Sequence, residues 1–224
     1  MEQWTYFLLL LASLSVPLLR SFEPRIHFKK YWGALFAGIA AMMLVYIPWD
    51  IVFTRNEIWS FAPDRVLGFY VLDLPFEEWL FFIVIPYCVV FVYEVLKYFL
   101  PKISFPRLAK YLAFVVGTFL IIIGIEFYDR VYTVVVMLTA GMLFVIQPFL
   151  GSHKTWLSHF YVTFLISLIP FGIVNGILTG VPVVSYDDAH NLGIRLGTIP
   201  IEDSVFFLGM MLIVMPVYER LKPA

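Results

Sequence analysis

Shifted by 125 residues, this chain matches itself. Positions 46 to 97 fall on 171 to 222 without a gap, and fourteen of the fifty-two pairs are identical. Apolar bias alone supplies matches such as Val89/Val214 and Leu96/Leu221. It does not supply Gly68/Gly193, Pro75/Pro200, Glu77/Glu202, Tyr93-Glu94/Tyr218-Glu219 and Lys97/Lys222 in one register. A repeat of this length means that one supersecondary unit occurs twice, so whatever the first copy builds the second must build as well.

The medium follows from composition. Hydrophobic residues make up 62% of the 224 and charged residues only 14%, against roughly half and one quarter in an ordinary globular chain. A spanning helix needs about 20 mostly apolar residues. Seven stretches qualify, at about 4–19, 31–53, 75–96, 109–127, 130–149, 156–178 and 200–218. The first is short, but Met1-Glu2-Gln3 is not the basic leader of a signal peptide, so it is read as a helix. The shift lays spans one to three on spans five to seven and leaves the fourth as a connector. The predicted fold is therefore an all-α, multi-pass membrane protein with a three-one-three layout. Residues 1–100 and 129–224 form the two units, and 101–128 the connector. An odd number of crossings separates the copies, so they run parallel, related by an axis along the membrane normal.

Basic residues set the orientation. With the N-terminus outside, Arg20, Arg25, Lys29, Lys30, Lys97, Lys102, Arg107, Lys110, Lys154, Arg220 and Lys222 lie inside, leaving Arg55, Arg65, Arg130 and Arg195 outside. The expected arrangement is N-out and C-in, in the cell membrane. A net charge of −1 lacks the clustered basic surface that a nucleic-acid partner requires. The one cysteine, Cys88, excludes an internal disulfide.

Two acidic motifs, PFEEWLFF at 75–82 and PIEDSVFF at 200–207, then open corresponding helices at the outer leaflet. Pro75 and Pro200 suit a first helical turn, with Asp73 and Thr198 as candidate N-caps. One such motif is accounted for by the attraction of carboxylates to a helix N-terminus. Two in register across a pseudo-twofold axis predict a shared site of four carboxyls. Neighbouring residues on a helix point about 100° apart, so one acid of each pair faces the interior. Glu77 and Glu202, identical in the two copies, are preferred over Glu78 and Asp203. Phe81, Phe82, Phe206 and Phe207 lie one turn below the acids, and aromatic faces stabilise cations. Asp50, within the second span and matched by Asn175, is a further candidate, as is Trp59 in the following loop. Tyr186-Asp187-Asp188-Ala189-His190-Asn191 is read as a solvated loop, and no metal is called for.

The duplicated P-x-E-E/D-x-x-F-F pattern on two three-helix units resembles the membrane-integral lycopene cyclase family, the non-flavin type found as two small subunits or as their fusion. The resemblance covers essentially the whole chain and corresponds to the fused form. It implies redox-neutral cyclisation of the linear ψ-ends of lycopene to β-ionone rings, through γ-carotene to β-carotene, with no cofactor. Glu77 and Glu202 would move the proton, with Glu78, Asp203 and Asp50 assisting. Phe81, Phe82, Phe206, Phe207, Asn175 and Trp59 would bind substrate. The implied partners are a lipophilic carotenoid, the bilayer and other enzymes of carotenoid synthesis. No G-x-G-x-x-G stretch of a flavin-binding cyclase is present. The competing reading is a small seven-helix transporter of the same three-one-three layout, which would carry its site near the midplane.

Overall fold

The computed structural model describes residues 2–223. Among these residues are eight α-helices: α1 Thr5–Arg20, α2 Trp32–Arg55, α3 Phe76–Phe99, α4 Pro106–Glu126, α5 Val131–Ile146, the single turn α6 Ser152–Thr155, α7 Leu157–Gly180 and α8 Ile201–Leu221. With its 3-10 lead-in, α1 runs from Glu2 to Arg20, and it joins α2, α3, α4, α7 and α8 as six helices long and apolar enough to cross a membrane. The fifth expected span is shorter than its apolar stretch. Its helix stops at Ile146: Gln147 keeps helical angles and donates its N–H to Phe144 O at 3.2 Å, but Pro148 after it has no N–H to carry the ladder on.

The packing interlocks the two copies. Within each copy the first helix lies on the third, α1 on α3 and α5 on α8. Between copies α2 packs on α8 and α7 on α3. Connector α4 lies along α5, where glycines allow close approach: a Cβ at Gly141 would stand 2.8 Å from Gly117 O.

One end of the bundle carries three two-stranded ribbons among the described residues, two of which repeat the same design. Tyr70–Val71 (β2) pairs with Leu74–Pro75 (β3), and Arg195–Leu196 (β5) pairs with Ile199–Pro200 (β6), position for position under the 125-residue shift. The third ribbon joins the copies. Trp59–Phe61 (β1) runs antiparallel to Val184–Tyr186 (β4), with Ser60 opposite Ser185. These serines are repeat mates, so the pseudo-twofold axis passes between them. The flanking bonds obey it too: Ala62 N–H donates to Val183 O at 2.9 Å and Asp187 N–H to Ile58 O at 3.0 Å. At the opposite end Tyr93 Oη donates to Glu219 and Tyr218 Oη to Glu94, both at 2.8 Å, with Lys222 Nζ between the two carboxylates at 3.0 and 2.7 Å.

The ribbons overturn the expected helix starts. Pro75 and Pro200 are extended residues just before their helices, with ψ of 144° and 139°. Asp73 sits in the hairpin turn at φ 70° and pairs with Arg55 at 2.6 Å, so it does not cap α3. The Thr198 hydroxyl meets that of Thr179 at 2.6 Å and does not cap α8.

Candidate functional site

Each acidic pair divides its labour in the same way in both copies. Glu77 Oε1 accepts the backbone N–H of Leu67 at 2.7 Å, and Glu202 Oε1 accepts that of Leu192 at 2.8 Å. Glu202 Oε1 also accepts the Thr133 hydroxyl at 2.7 Å. Both carboxyls are fully buried, and Oε2 of each has no hydrogen-bond partner among the described residues. They fasten the loops that carry the ribbons. Gly68 and Gly193, next in each loop, have φ of 77° and 68°, a conformation that only glycine adopts without strain.

Glu78 and Asp203 turn the other way. Both line one cavity of about 40 Å³ at the cross-copy ribbon. Glu78 comes from α3 of the first copy and Asp203 from α8 of the second, so each copy contributes one acid to a common space. Phe81, Phe206 and Trp59 form part of the wall, together with Tyr6, Tyr132 and Tyr186. Trp59 meets Tyr132 edge to face at 5.2 Å, and the Tyr132 and Tyr186 rings stack at 5.9 Å.

The two acids are held unequally. Glu78 Oε2 accepts one phenol, from Tyr6 at 2.7 Å. Asp203 accepts three donors: Tyr132 Oη on Oδ1 at 2.6 Å, and Asn175 Nδ2 and Tyr186 Oη on Oδ2 at 2.8 and 2.9 Å. Burial, then the charge of Asp203, holds the Tyr186 phenol well above its ordinary pKa, so it remains a donor. Asp50 is buried in α2 and does not line the cavity. Its Oδ1 accepts Trp59 Nε1 at 2.8 Å and its Oδ2 is unpartnered among the described residues. It therefore fixes the indole that forms the cavity wall.

The sequence-derived candidates thus fall into two groups. Glu78, Asp203, Phe81, Phe206, Asn175 and Trp59 meet in the cavity. Glu77, Glu202, Asp50 and Phe82 stand behind it, and Phe207 lines a second, deeper cavity. The two phenols Tyr6 and Tyr132 escaped the repeat comparison because they are 126 residues apart, one out of register. An alignment of the first and fifth spans allowing one inserted residue would have paired them. The exposed carboxylates of the 186–191 loop engage Arg195, through Asp188, and the Ala189 N–H, through Asp187.

The chain matches the lycopene cyclase family over residues 3–96 and 129–221. It belongs to that family. Its curated relatives include three proteins named bifunctional lycopene cyclase/phytoene synthase. That of Aspergillus oryzae is 35% identical over 65 residues, 29% of this chain and 11% of the relative. That of Neurospora crassa is 30% identical over 84 residues, 38% and 13%. That of Colletotrichum graminicola is 41% identical over 51 residues, 23% and 9%. The chain spans only about a tenth of the length of these relatives. No solved structure matches it.

Proposed function

We propose that this member of the lycopene cyclase family is itself a cyclase of linear carotenoid ends, working at Glu78 and Asp203. The observation that carries the reading is the meeting of these two acids, one from each copy, in a single buried aromatic cavity. Glu78, with one donor on Oε2 and none on Oε1 among the described residues, delivers a proton to the terminal double bond of a ψ-end. The resulting tertiary cation is attacked by the internal double bond, forming the ring C–C bond and moving the charge into the ring. Phe81, Phe206 and Trp59 present π-faces to that charge. Asp203, oriented by three donors, removes a ring proton and leaves the β-ionone double bond. One proton enters and one leaves, so the reaction is an isomerisation without redox change and passes through a one-ringed to a two-ringed product.

Asn175, Tyr132 and Tyr186 position the base, Tyr6 the acid, and Asp50 the Trp59 wall. This reassigns the proton-moving role from Glu77 and Glu202, identical in the two copies, to their neighbours. The fuller architecture belongs to the same proposal. Val131–Ile146 is taken as a seventh, shorter crossing, with two parallel units, 1–100 and 129–224, joined by 101–128, N-terminus outside, in the cell membrane. Other enzymes of carotenoid synthesis would supply the lycopene.

The test is chromatography of pigments from lycopene-accumulating bacterial cells expressing the wild type, Glu78→Gln or Asp203→Asn. The wild type alone should yield γ- or β-carotene. Unchanged lycopene beside wild-type protein in the membrane overturns cyclisation, and full conversion by either variant overturns the role given to that acid.

A further inference from the structure

A second cavity of about 210 Å³ lies below the first, in the seam between α1, α3 and α7. Its wall is apolar apart from Ser13, Cys88 and Ser167, and it shares Phe171 with the carboxylate cavity above. The two cavities together cover eleven residue steps on α1, Tyr6 to Pro17, and on α7, Leu178 to Ser167, and fourteen on α3, Glu78 to Val92. At 1.5 Å per residue that is about 16 to 21 Å along the helices, half or more of the roughly 30 Å hydrocarbon thickness. Ser167 is buried and its Oγ has no partner among the described residues. An extended π-system is an apolar occupant that still offers a hydroxyl a weak acceptor. Pro170, exposed on the surface of α7, stands at the cavity edge.

The repeat-related seam, between α5, α8 and α2, is filled. The mates of Ser167, Phe171 and Val174 are Met42, Tyr46 and Trp49. Met42 and Tyr46 are fully buried, and the Tyr46 ring packs on Trp49 and Phe206 at 4.9 and 4.8 Å. Two glycines allow it: a Cβ on Gly209, whose mate is Val84, would strike Tyr46 Oη. A Cβ on Gly38 would lie 2.8 Å from Val214 O, so glycine lets α2 close upon α8. The mate of Gly38 is Thr163, whose side chain occupies the corresponding place on α7.

We infer that the seam between α1, α3 and α7 holds the body of the linear polyene while one end reaches Glu78 and Asp203, and that its filled mate holds none. This rests on the proposed ring-closing role of those acids. Phe171, now stacked on Phe207 at 4.3 Å, is the ring that must swing aside to join the two cavities. With one open seam, a two-ended substrate is processed one end per visit. The half-cyclised molecule must leave and return reversed.

The test uses Glu78→Gln protein in lipid nanodiscs, with lycopene as the probe. Cys88, the only cysteine, lies in the seam. Lycopene at about nine times its Kd should slow alkylation of Cys88 by N-ethylmaleimide about tenfold, as occupancy arithmetic requires. Separately, Ser167→Phe should abolish pigment co-purification, and the control Ile213→Trp, at the repeat mate of Cys88, should retain it. Co-purification of lycopene with unprotected Cys88, or pigment binding retained by Ser167→Phe, overturns the seam assignment while the cyclase reading stands. Failure of the wild type to convert lycopene overturns that reading instead. For the one-end rule, wild-type nanodiscs are mixed with excess empty acceptor vesicles. One-ringed product should collect in the acceptors; two-ringed product alone overturns the rule.

Discussion

Replacing Glu202 separates anchoring from proton transfer. In Glu202→Ala the Leu192 N–H loses its acceptor in a partly buried setting, and the buried Thr133 hydroxyl must turn back to its own helix. An unsatisfied buried donor costs about 1–3 kcal/mol, and the lost bond to a carboxyl oxygen adds a similar amount, so about 3 kcal/mol is expected in all. At ~2–4 °C per kcal/mol for a chain of this length, Tm falls by about 6–12 °C. Glu202→Gln keeps an oxygen for both donors and exchanges the unpartnered Oε2 for an equally unpartnered amide nitrogen. Its Tm should lie within about 3 °C of the wild type, a difference of no more than ~1 kcal/mol. The assay is tryptophan fluorescence during heating in detergent, beside conversion of lycopene by membranes. Glu202→Gln should convert substrate; Asp203→Asn, folded but about 1–3 kcal/mol less stable because its amide nitrogen cannot accept the donors on one oxygen, should not. A Glu202→Gln protein of normal stability without activity would refute the division of roles.

Two further outcomes follow from the packing. Tyr93→Phe with Tyr218→Phe removes both cross-copy phenol bonds to Glu219 and Glu94. At about 1.5–3 kcal/mol for each bond to a charged group, heating curves should show a large fall in Tm, while conversion at low temperature persists because the acid cavity is at the other end. Gly141→Leu forces a side chain into the backbone of α4. It should destabilise by about 1–3 kcal/mol in the same measurement without altering the ratio of one-ringed to two-ringed product, since α4 lines neither cavity.

The repeat was legible because the same backbone needs recur in both copies. Gly68 and Gly193 answer a positive φ, and Glu77 and Glu202 answer the N–H groups of Leu67 and Leu192. Identity between the copies therefore marked the anchors. The acids that face the cavity, Glu78 and Asp203, differ because their neighbours differ: one phenol for the longer side chain, two phenols and an amide for the shorter. Helical periodicity separates the two directions but does not say which is inward. That is decided under the cross-copy ribbon, whose Ser60–Ser185 pairing spans 125 residues and leaves no local trace. The two local hairpins displaced Asp73 and Thr198 from the capping positions that their spacing suggested. The closed seam depends on Gly38 against Thr163 and Gly209 against Val84, differences visible in the sequence but meaningless until α2 is seen to lie on α8.

The Ser60–Ser185 strand pair bears on how the polypeptide could be divided. A chain cut in the loop between α3 and α4 would yield two fragments, each carrying one strand of the ribbon, one acid of the cavity and one member of each Tyr–Glu contact. Neither fragment alone could satisfy its own strand edge or enclose the space around its carboxyl. Separately translated halves would thus complete each other through hydrogen bonds that neither can form within itself. Such a heterodimer would be inactive until assembled, and its joining surface would already be specified by the symmetry of the uncut chain.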